Sequence, residues 1–296
     1  MVGAAGRRDD RPALPGAHVL VGPRFTTPFT AAADALRLVH VAGAGVDGID
    51  EQALPPGVAV ANTFHHEASI AEYAVATTVL MRRRLQQQDA ALRHGRWASP
   101  VYDPALQQSS GLDGATVGFV GLGHIGRRAW QAFRALGARG IAVSRSGSSA
   151  EGLAWTATVD RLHQLLDEAD VLVLCLPLRA ETRHLIGEHE LWRLGPDAML
   201  VNVARGAVVD PAALYTALAE RRIGGAVIDT WYAYPTAGAA ARPAEQPFEL
   251  LDNVFMTPHI SGVTTQTFRG RVRDIARNLQ LLARGDDLER VVLTGR

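Results

Sequence analysis

The run "VGFVGLGHIG" places Gly121, Gly123 and Gly126 at G-x-G-x-x-G spacing. Glycine-rich sequences match that spacing by chance. Here, however, it closes a predicted strand, "ATVGFV" (115–120), and His124 and Ile125 open a predicted helix, "HIGRRAWQAFRALG" (124–137). In that context the chemistry is anion binding. The first glycine permits a tight turn, the second lets a pyrophosphate approach the backbone, and the third lets the helix sit close to the strand. The helix N-terminus then turns its N–H groups toward the phosphates. The bland alternative is a structural turn in an α/β protein.

About eighteen residues past Gly126, where a carboxylate would hold a ribose 2′-hydroxyl, the chain reads Ser144-Arg145-Ser146. Nothing in this triplet repels a 2′-phosphate, and a guanidinium with two hydroxyls can bind one. The expected cofactor is NADP(H), with NAD(H) still admissible. The competing reading makes Arg145 a solvated surface residue. Downstream, Ala204-Arg205-Gly206 follows the predicted strand "AMLVNV", and His259 follows "NVFMT". Loops past strand ends are where open α/β sheets bind ligands. A lone arginine or histidine there is usually unremarkable; the two together after a dinucleotide fingerprint are less so.

The elements that must position these residues alternate. Strands are predicted at 115–120, 140–144, 171–176, 198–203, 224–229 and 253–257. Amphipathic helices lie between several of them, with Asp160 as one cap and Asp210-Pro211 opening another. Apolar strands between such helices imply a parallel sheet covered on both faces. The flanks form a second unit, with strands at 18–22, 36–42 and 58–62, one long helix within 67–95, and a closing helix over 264–285. The expected division is residues 1–94 and 265–296 for this unit and 95–264 for the dinucleotide-binding domain, inserted into it. The fold class is α/β.

Composition narrows the function classes. Formal charge is zero, 47% of residues are hydrophobic, and no apolar run spans a bilayer, so neither nucleic acid nor membrane is expected as a partner. The opening "MVGAAGRRDDRPALPG" has no apolar segment of signal-peptide type. One cysteine, Cys175, excludes an internal disulfide and fits the cytoplasm. All thirty basic residues are arginine, which removes P-loop and Schiff-base lysines.

Together the segments "GAGVDGID", "ASIAEYAV", "RHGRW", "VGFVGLGHIG", "LPLRAETRHLI", "VNVARGAVVD" and "NVFMTPHISG" resemble the D-isomer-specific 2-hydroxyacid dehydrogenase family, over about residues 18–296. The resemblance implies a Rossmann-type doubly wound parallel sheet inserted in a smaller flavodoxin-like substrate domain, usually as a homodimer. It also implies NAD(P)-linked interconversion of small 2-oxoacids and D-2-hydroxyacids. On it, Arg205 clamps the substrate and His259 is the general acid or base. The Ala44–Gly45 backbone meets the substrate carboxylate, and Asp229 holds the nicotinamide carboxamide. Pro177 and Thr182 line the cofactor cleft, and Val203 and Ala204 contact the nicotinamide. No metal is implied.

Two departures from the family pattern stand out. The substrate domain reads as shortened at its N-terminus. The glutamate that family members usually pair with the histidine falls, on a gap-free count from Arg205, at Tyr234. Tyrosine hydrogen-bonds but carries no charge at neutral pH. Formate dehydrogenases, which are similar, also lack a carboxylate there, but their substrate-binding asparagine falls at His66. His66 is either substrate-facing or an exposed loop residue, and the long loop at 235–250 is either a pocket mouth or surface. Two alternatives to a 2-oxoacid reductase follow: a formate- or phosphite-type dehydrogenase, and a dinucleotide-sensing binding protein.

Overall fold

The computed structural model describes residues 14–235 and 241–296. Most of the N-terminal run read above for a signal segment, and 236–240 of the long loop, lie outside the described residues. The chain starts with β1 (Val19–Val21), the single turn α1 (Thr27–Thr30), β2 (Leu38–His40) and β3 (Ala59–Ala61). Next come α2 (Glu67–Arg82), α3 (Leu85–Arg93), β4 (Thr116–Val120), α4 (His124–Arg134) and β5 (Arg139–Val143). They are followed by β6 (Leu153–Ala157), α5 (Leu162–Glu168), β7 (Val171–Leu174) and α6 (Glu188–Leu194). The central part ends with β8 (Met199–Asn202), α7 (Pro211–Ala219), β9 (Gly225–Ile228) and β10 (Val254–Met256). The last elements are α8 (Thr265–Arg284) and β11 (Val291–Thr294).

These elements form two compact units. The larger comprises Glu67–Tyr234 and Arg242–Gly262 and is inserted into the smaller. Its sheet among the described residues has seven parallel strands in the order β10-β9-β8-β7-β4-β5-β6. The strands read as continuous apolar runs because both faces are covered. In β7, Val171 and Val173 join a core with Ile70 and Ala74 of α2 and with Trp130 and Phe133 of α4. Leu172 and Leu174 point the other way, into a core with Leu165 of α5, Leu191 of α6 and Leu218 of α7. Each such buried leucine contributes about 2 kcal/mol.

The smaller unit has β1, β2 and β3 parallel, with β11 antiparallel beside β3. Phe25, Val39 and Val60 centre its core. Asn278 of α8 is buried; its amide nitrogen lies 3.0 Å from Nε2 of buried His40, and its Oδ1 accepts from the Glu289 N–H.

Several elements differ from expectation. The long helix breaks into α2 and α3, with Arg84 in the left-handed region at φ 51°. Apolar side chains of α2 face α4, whereas the following "RRRLQQQ" run offers little to bury, so no core contact holds the axis straight. By packing, α2 therefore goes with the larger unit, and the compact units divide at His66 rather than residue 94. Asp160 does not cap α5: it lies in a 3-10 turn and accepts from the Thr158 hydroxyl, and the N-cap is Arg161. Asp210 does cap α7, with Oδ1 accepting from the Ala213 N–H at 2.8 Å. β6 and β11 were not expected. β11 lies at an edge and leaves Val291 and Val292 exposed, so it carries no buried run for sequence reading to detect.

Candidate active site

The glycine loop joins β4 to α4. Gly121 has φ 99°, and a Cβ there would lie 2.7 Å from the Cys175 carbonyl oxygen, so the turn admits only glycine. A Cβ on Gly126 would meet the Gly121 carbonyl oxygen at 2.5 Å, which sets how closely helix and strand approach. Around Gly123 there is open space within 4 Å, and α4 has no side-chain cap at its N-terminus. Two glycines are spent on internal packing and the third leaves a bare backbone facing outward. That division fits a pyrophosphate at the helix end. His124 is exposed and Ile125 half-buried in the first turn.

Ser144, Arg145 and Ser146 follow β5. Arg145 and Ser146 are exposed, and Arg145 makes no ion pair among the described residues. The Ser144 hydroxyl is buried without a hydrogen-bond partner among the described residues. One contributor was not foreseen. Arg127 of α4 donates from Nη1 to the Ser149 carbonyl at 2.7 Å and from Nη2 to the Ser148 hydroxyl, tying this loop to the helix that carries the glycine turn. Across the sheet, Thr182 donates to the Pro177 carbonyl at 2.9 Å and accepts from the Arg179 N–H, so both residues belong to one turn past β7.

Past β8, Val203 and Ala204 are buried and Arg205 is half-buried. Asn202 fixes this loop from within: its Oδ1 accepts from the Ala204 N–H at 3.0 Å and its Nδ2 donates to the Arg205 carbonyl at 3.1 Å. The Arg205 guanidinium folds back to donate to the Ala204 carbonyl at 2.8 Å. A Cβ on Gly206 would lie 2.4 Å from the Trp231 carbonyl oxygen, so the Arg-Gly pair brings this loop against the aromatic one.

His259 follows β10 in a loop held from several sides. Asp229, fully buried, accepts from the Thr257 hydroxyl at 2.6 Å, the Ile260 N–H at 2.8 Å and the Ser261 N–H at 3.0 Å. Thr257 also meets the Tyr73 hydroxyl of α2 at 2.6 Å, and its carbonyl accepts from the Trp231 indole at 2.8 Å. His259 sits in the left-handed region at φ 57°, a cost of about 1–2 kcal/mol that these bonds offset. Its side chain is exposed.

The Tyr234 ring lies 5.5 Å from the His259 ring, centroid to centroid, at 52°. The Tyr234 hydroxyl accepts from the Trp231 N–H at 3.1 Å. Burial pushes this phenol above its ordinary range, while the Trp231 N–H and the nearby Arg205 guanidinium pull it partly back. Tyr234 is therefore a neutral neighbour of the histidine and sits within the field of Arg205. Burial likewise raises the Tyr73 phenol. Arg205, Tyr234, Asp229 and His259 thus come together past the C-terminal ends of β8, β9 and β10.

Ala44, Gly45 and His66 belong to the smaller unit. The Asn62 amide donates to the Ala44 carbonyl at 2.9 Å, and the N–H groups of Ala44 and Gly45 have no acceptor among the described residues. His66 is buried and stacks on Phe64 at 6.3 Å, so it is not an exposed loop residue. Its neighbour His65 pairs with Asp274 at 2.9 Å.

A doubly wound parallel sheet with a dinucleotide-type glycine turn, and a histidine and an arginine past the strand ends, defines a class: nicotinamide-linked α/β oxidoreductases. Residues 75–261 match the family described as D-isomer specific 2-hydroxyacid dehydrogenase, NAD binding domain. The glyoxylate reductase of Thermococcus litoralis is 35% identical over 85% of this chain and 75% of its own length. The D-3-phosphoglycerate dehydrogenase of Methanocaldococcus jannaschii is 31% identical over 93% of this chain, which spans only 52% of that protein. The solved D-isomer specific 2-hydroxyacid dehydrogenase of Xanthobacter autotrophicus Py2, in complex with NADPH and MES, superimposes with TM-score 0.75 at 28% identity, covering 93% of this chain and 84% of that one. The chain belongs to the D-isomer specific 2-hydroxyacid dehydrogenase family.

Proposed function

We propose that the protein reduces a small 2-oxoacid to the D-2-hydroxyacid with NADPH, and runs the reverse with NADP. The observation that carries this reading is the convergence of His259, Tyr234 and Arg205 at strand ends of the sheet that bears the glycine turn. A bound nicotinamide supplies or accepts the hydride. His259 gives a proton to the carbonyl oxygen in reduction and takes it back in oxidation. Arg205 holds the substrate carboxylate with its planar fork; the family resemblance gives the Ala44 and Gly45 N–H groups a role in substrate binding. His66 belongs to the substrate side of this reading. Asp229 fixes the His259 loop and, on the family resemblance, holds the nicotinamide carboxamide; Val203, Ala204, Pro177 and Thr182 contact the cofactor.

The NADPH preference rests on Ser144, Arg145 and Ser146, with no carboxylate between 144 and 149. A homologue bound to NADPH is consistent with it. A second copy of the chain is the expected partner. Trp97, Val101 and Tyr102, 66%, 81% and 69% exposed, offer apolar surface that a second copy could cover.

Cofactor oxidation followed at 340 nm across a panel of 2-oxoacids, with NADPH and then NADH, tests the reading. Turnover with at least one 2-oxoacid and a higher kcat/KM for NADPH is expected. Tight NADPH binding without turnover would instead favour a sensor, and activity on formate alone a formate dehydrogenase.

A further inference from the structure

Two imidazoles and one carboxylate converge on α5 and α6 of the larger unit. His163 stands on α5; His189 and Glu190 stand on α6. His163 Nε2 lies 3.1 Å from Glu190 Oε1, and His189 Nδ1 lies 3.4 Å from that same oxygen. The ligand atoms of all three lie within 4.8 Å of one another, and the two rings are 4.9 Å apart. We infer that His163, His189 and Glu190 form a binding site for a borderline divalent transition ion, of which Zn²⁺ is the probe.

The donor set is the first reason. Clusters of surface carboxylates gather without any ion; here two of three donors are imidazole nitrogens, which favour zinc-like ions. Spacing is the second. Zinc bonds to nitrogen and oxygen of about 2.1 Å give a tetrahedron with edges of about 3.4 Å. The two histidine–glutamate separations, 3.1 and 3.4 Å, lie close to that edge, and the histidine nitrogens lie within 4.8 Å of each other. An ion entering would replace the protons the imidazoles direct at Oε1.

The third reason is that the donors stand on fixed ground. Leu162, next to His163, and Leu191, next to Glu190, are buried in the same core as Leu166 and Leu194. The second glutamate oxygen, Oε2, accepts from the Gly187 N–H at 3.1 Å, which orients the carboxylate. Partial burial alone would raise the Glu190 carboxyl. The bonds from His163, the Gly187 and Glu190 N–H groups and His189 instead hold it below the usual carboxylate range. With three protein donors, the remaining coordination position opens to solvent, where both histidines are exposed. A bound ion would clamp α5 to α6.

Titration calorimetry of the full-length chain, stripped with a chelator and titrated with ZnCl₂ at pH 7.5, tests this. Saturable binding and a raised thermal unfolding midpoint are expected. The double variant His163→Ala/His189→Ala should bind at least tenfold more weakly and lose the thermal shift, and Glu190→Gln should weaken binding. His184→Ala, a surface histidine outside the cluster, should match the parent protein. Circular dichroism establishes that each variant is folded, and the single changes His163→Ala and His189→Ala serve if the double variant is not. Absence of saturable binding, or equal binding by the folded histidine variants, would overturn the site.

Discussion

Tyr234 stands beside His259, where the family resemblance leads one to expect a glutamate. A glutamate beside the histidine would stabilise the imidazolium; the neutral phenol 5.5 Å away does not. If His259 delivers the proton, as proposed, the rate of reduction falls as pH rises and the histidine loses its proton. Tyr234→Glu should raise the His259 pKa by about one unit and carry the falling arm of the pH–rate profile for reduction to higher pH. An unmoved arm would separate Tyr234 from the proton transfer. The proposed NADPH preference is tested at the same scale. Arg145→Asp should weaken NADPH binding about tenfold or more while leaving NADH little changed, because one charge-assisted contact to phosphate is lost. Equal loss for both would remove Arg145 from the cofactor site. The sequence raised these residues through local signals: a spacing, a missing carboxylate, a count from Arg205. The Tyr234 hydroxyl's choice of the Trp231 N–H was not legible, since nothing in "TWYAYP" announces which backbone group the ring will reach.

At the scale of elements, the histidine loop is held by groups from three segments. Asp229 ends β9, Tyr73 lies on α2, and Trp231 follows in the aromatic loop. The sequence separates Tyr73 from Thr257 by 184 positions, so their contact follows from sheet order and helix packing and could not be read from either neighbourhood. Asp229 itself stood out as a carboxylate closing an apolar run, yet its three backbone and hydroxyl donors appear only once β10 pairs with β9. Asp229→Asn presents a donor to a buried N–H that needs an acceptor. It should cost about 1–3 kcal/mol in urea unfolding and lower kcat, because His259 loses its fixed backbone. Unchanged stability would mean that the loop is held without it. The α2–α3 break was illegible for a different reason. Helix propensity continues through "RRRLQQQ", but the buried face does not, and tertiary contact decides.

For the whole molecule, alternating apolar runs and helices made the inserted doubly wound sheet readable from sequence. The edge strand β11, with no buried stripe, was not. In the smaller unit, burial lowers the His40 imidazole pKa; a contact to Val41 and the charge of Asp274 oppose this without reversing it. Asp274 is lowered too: partial burial would raise it, but bonds from Thr63 and His65 and the charge of Arg290 outweigh that. Both groups have depressed folded-state values. Their stabilisation is therefore present above the unfolded-state values and lost as pH falls through the folded ones. The urea midpoint should drop between pH 7.5 and 5.5, because unfolded His40 takes up a proton that the buried imidazole resists, and His40→Gln should flatten that drop. An equal drop in the variant would assign it elsewhere. Light scattering should give twice the chain mass; a monomer would leave the exposed Trp97 and Tyr102 surface without its expected partner. The most direct test of the proposed chemistry compares NADPH-dependent 2-oxoacid reduction by the parent protein and by His259→Asn. Loss of about 10²–10⁴-fold in kcat with NADPH affinity retained is expected if His259 delivers the proton. Reduction by His259→Asn at the parent rate would contradict it.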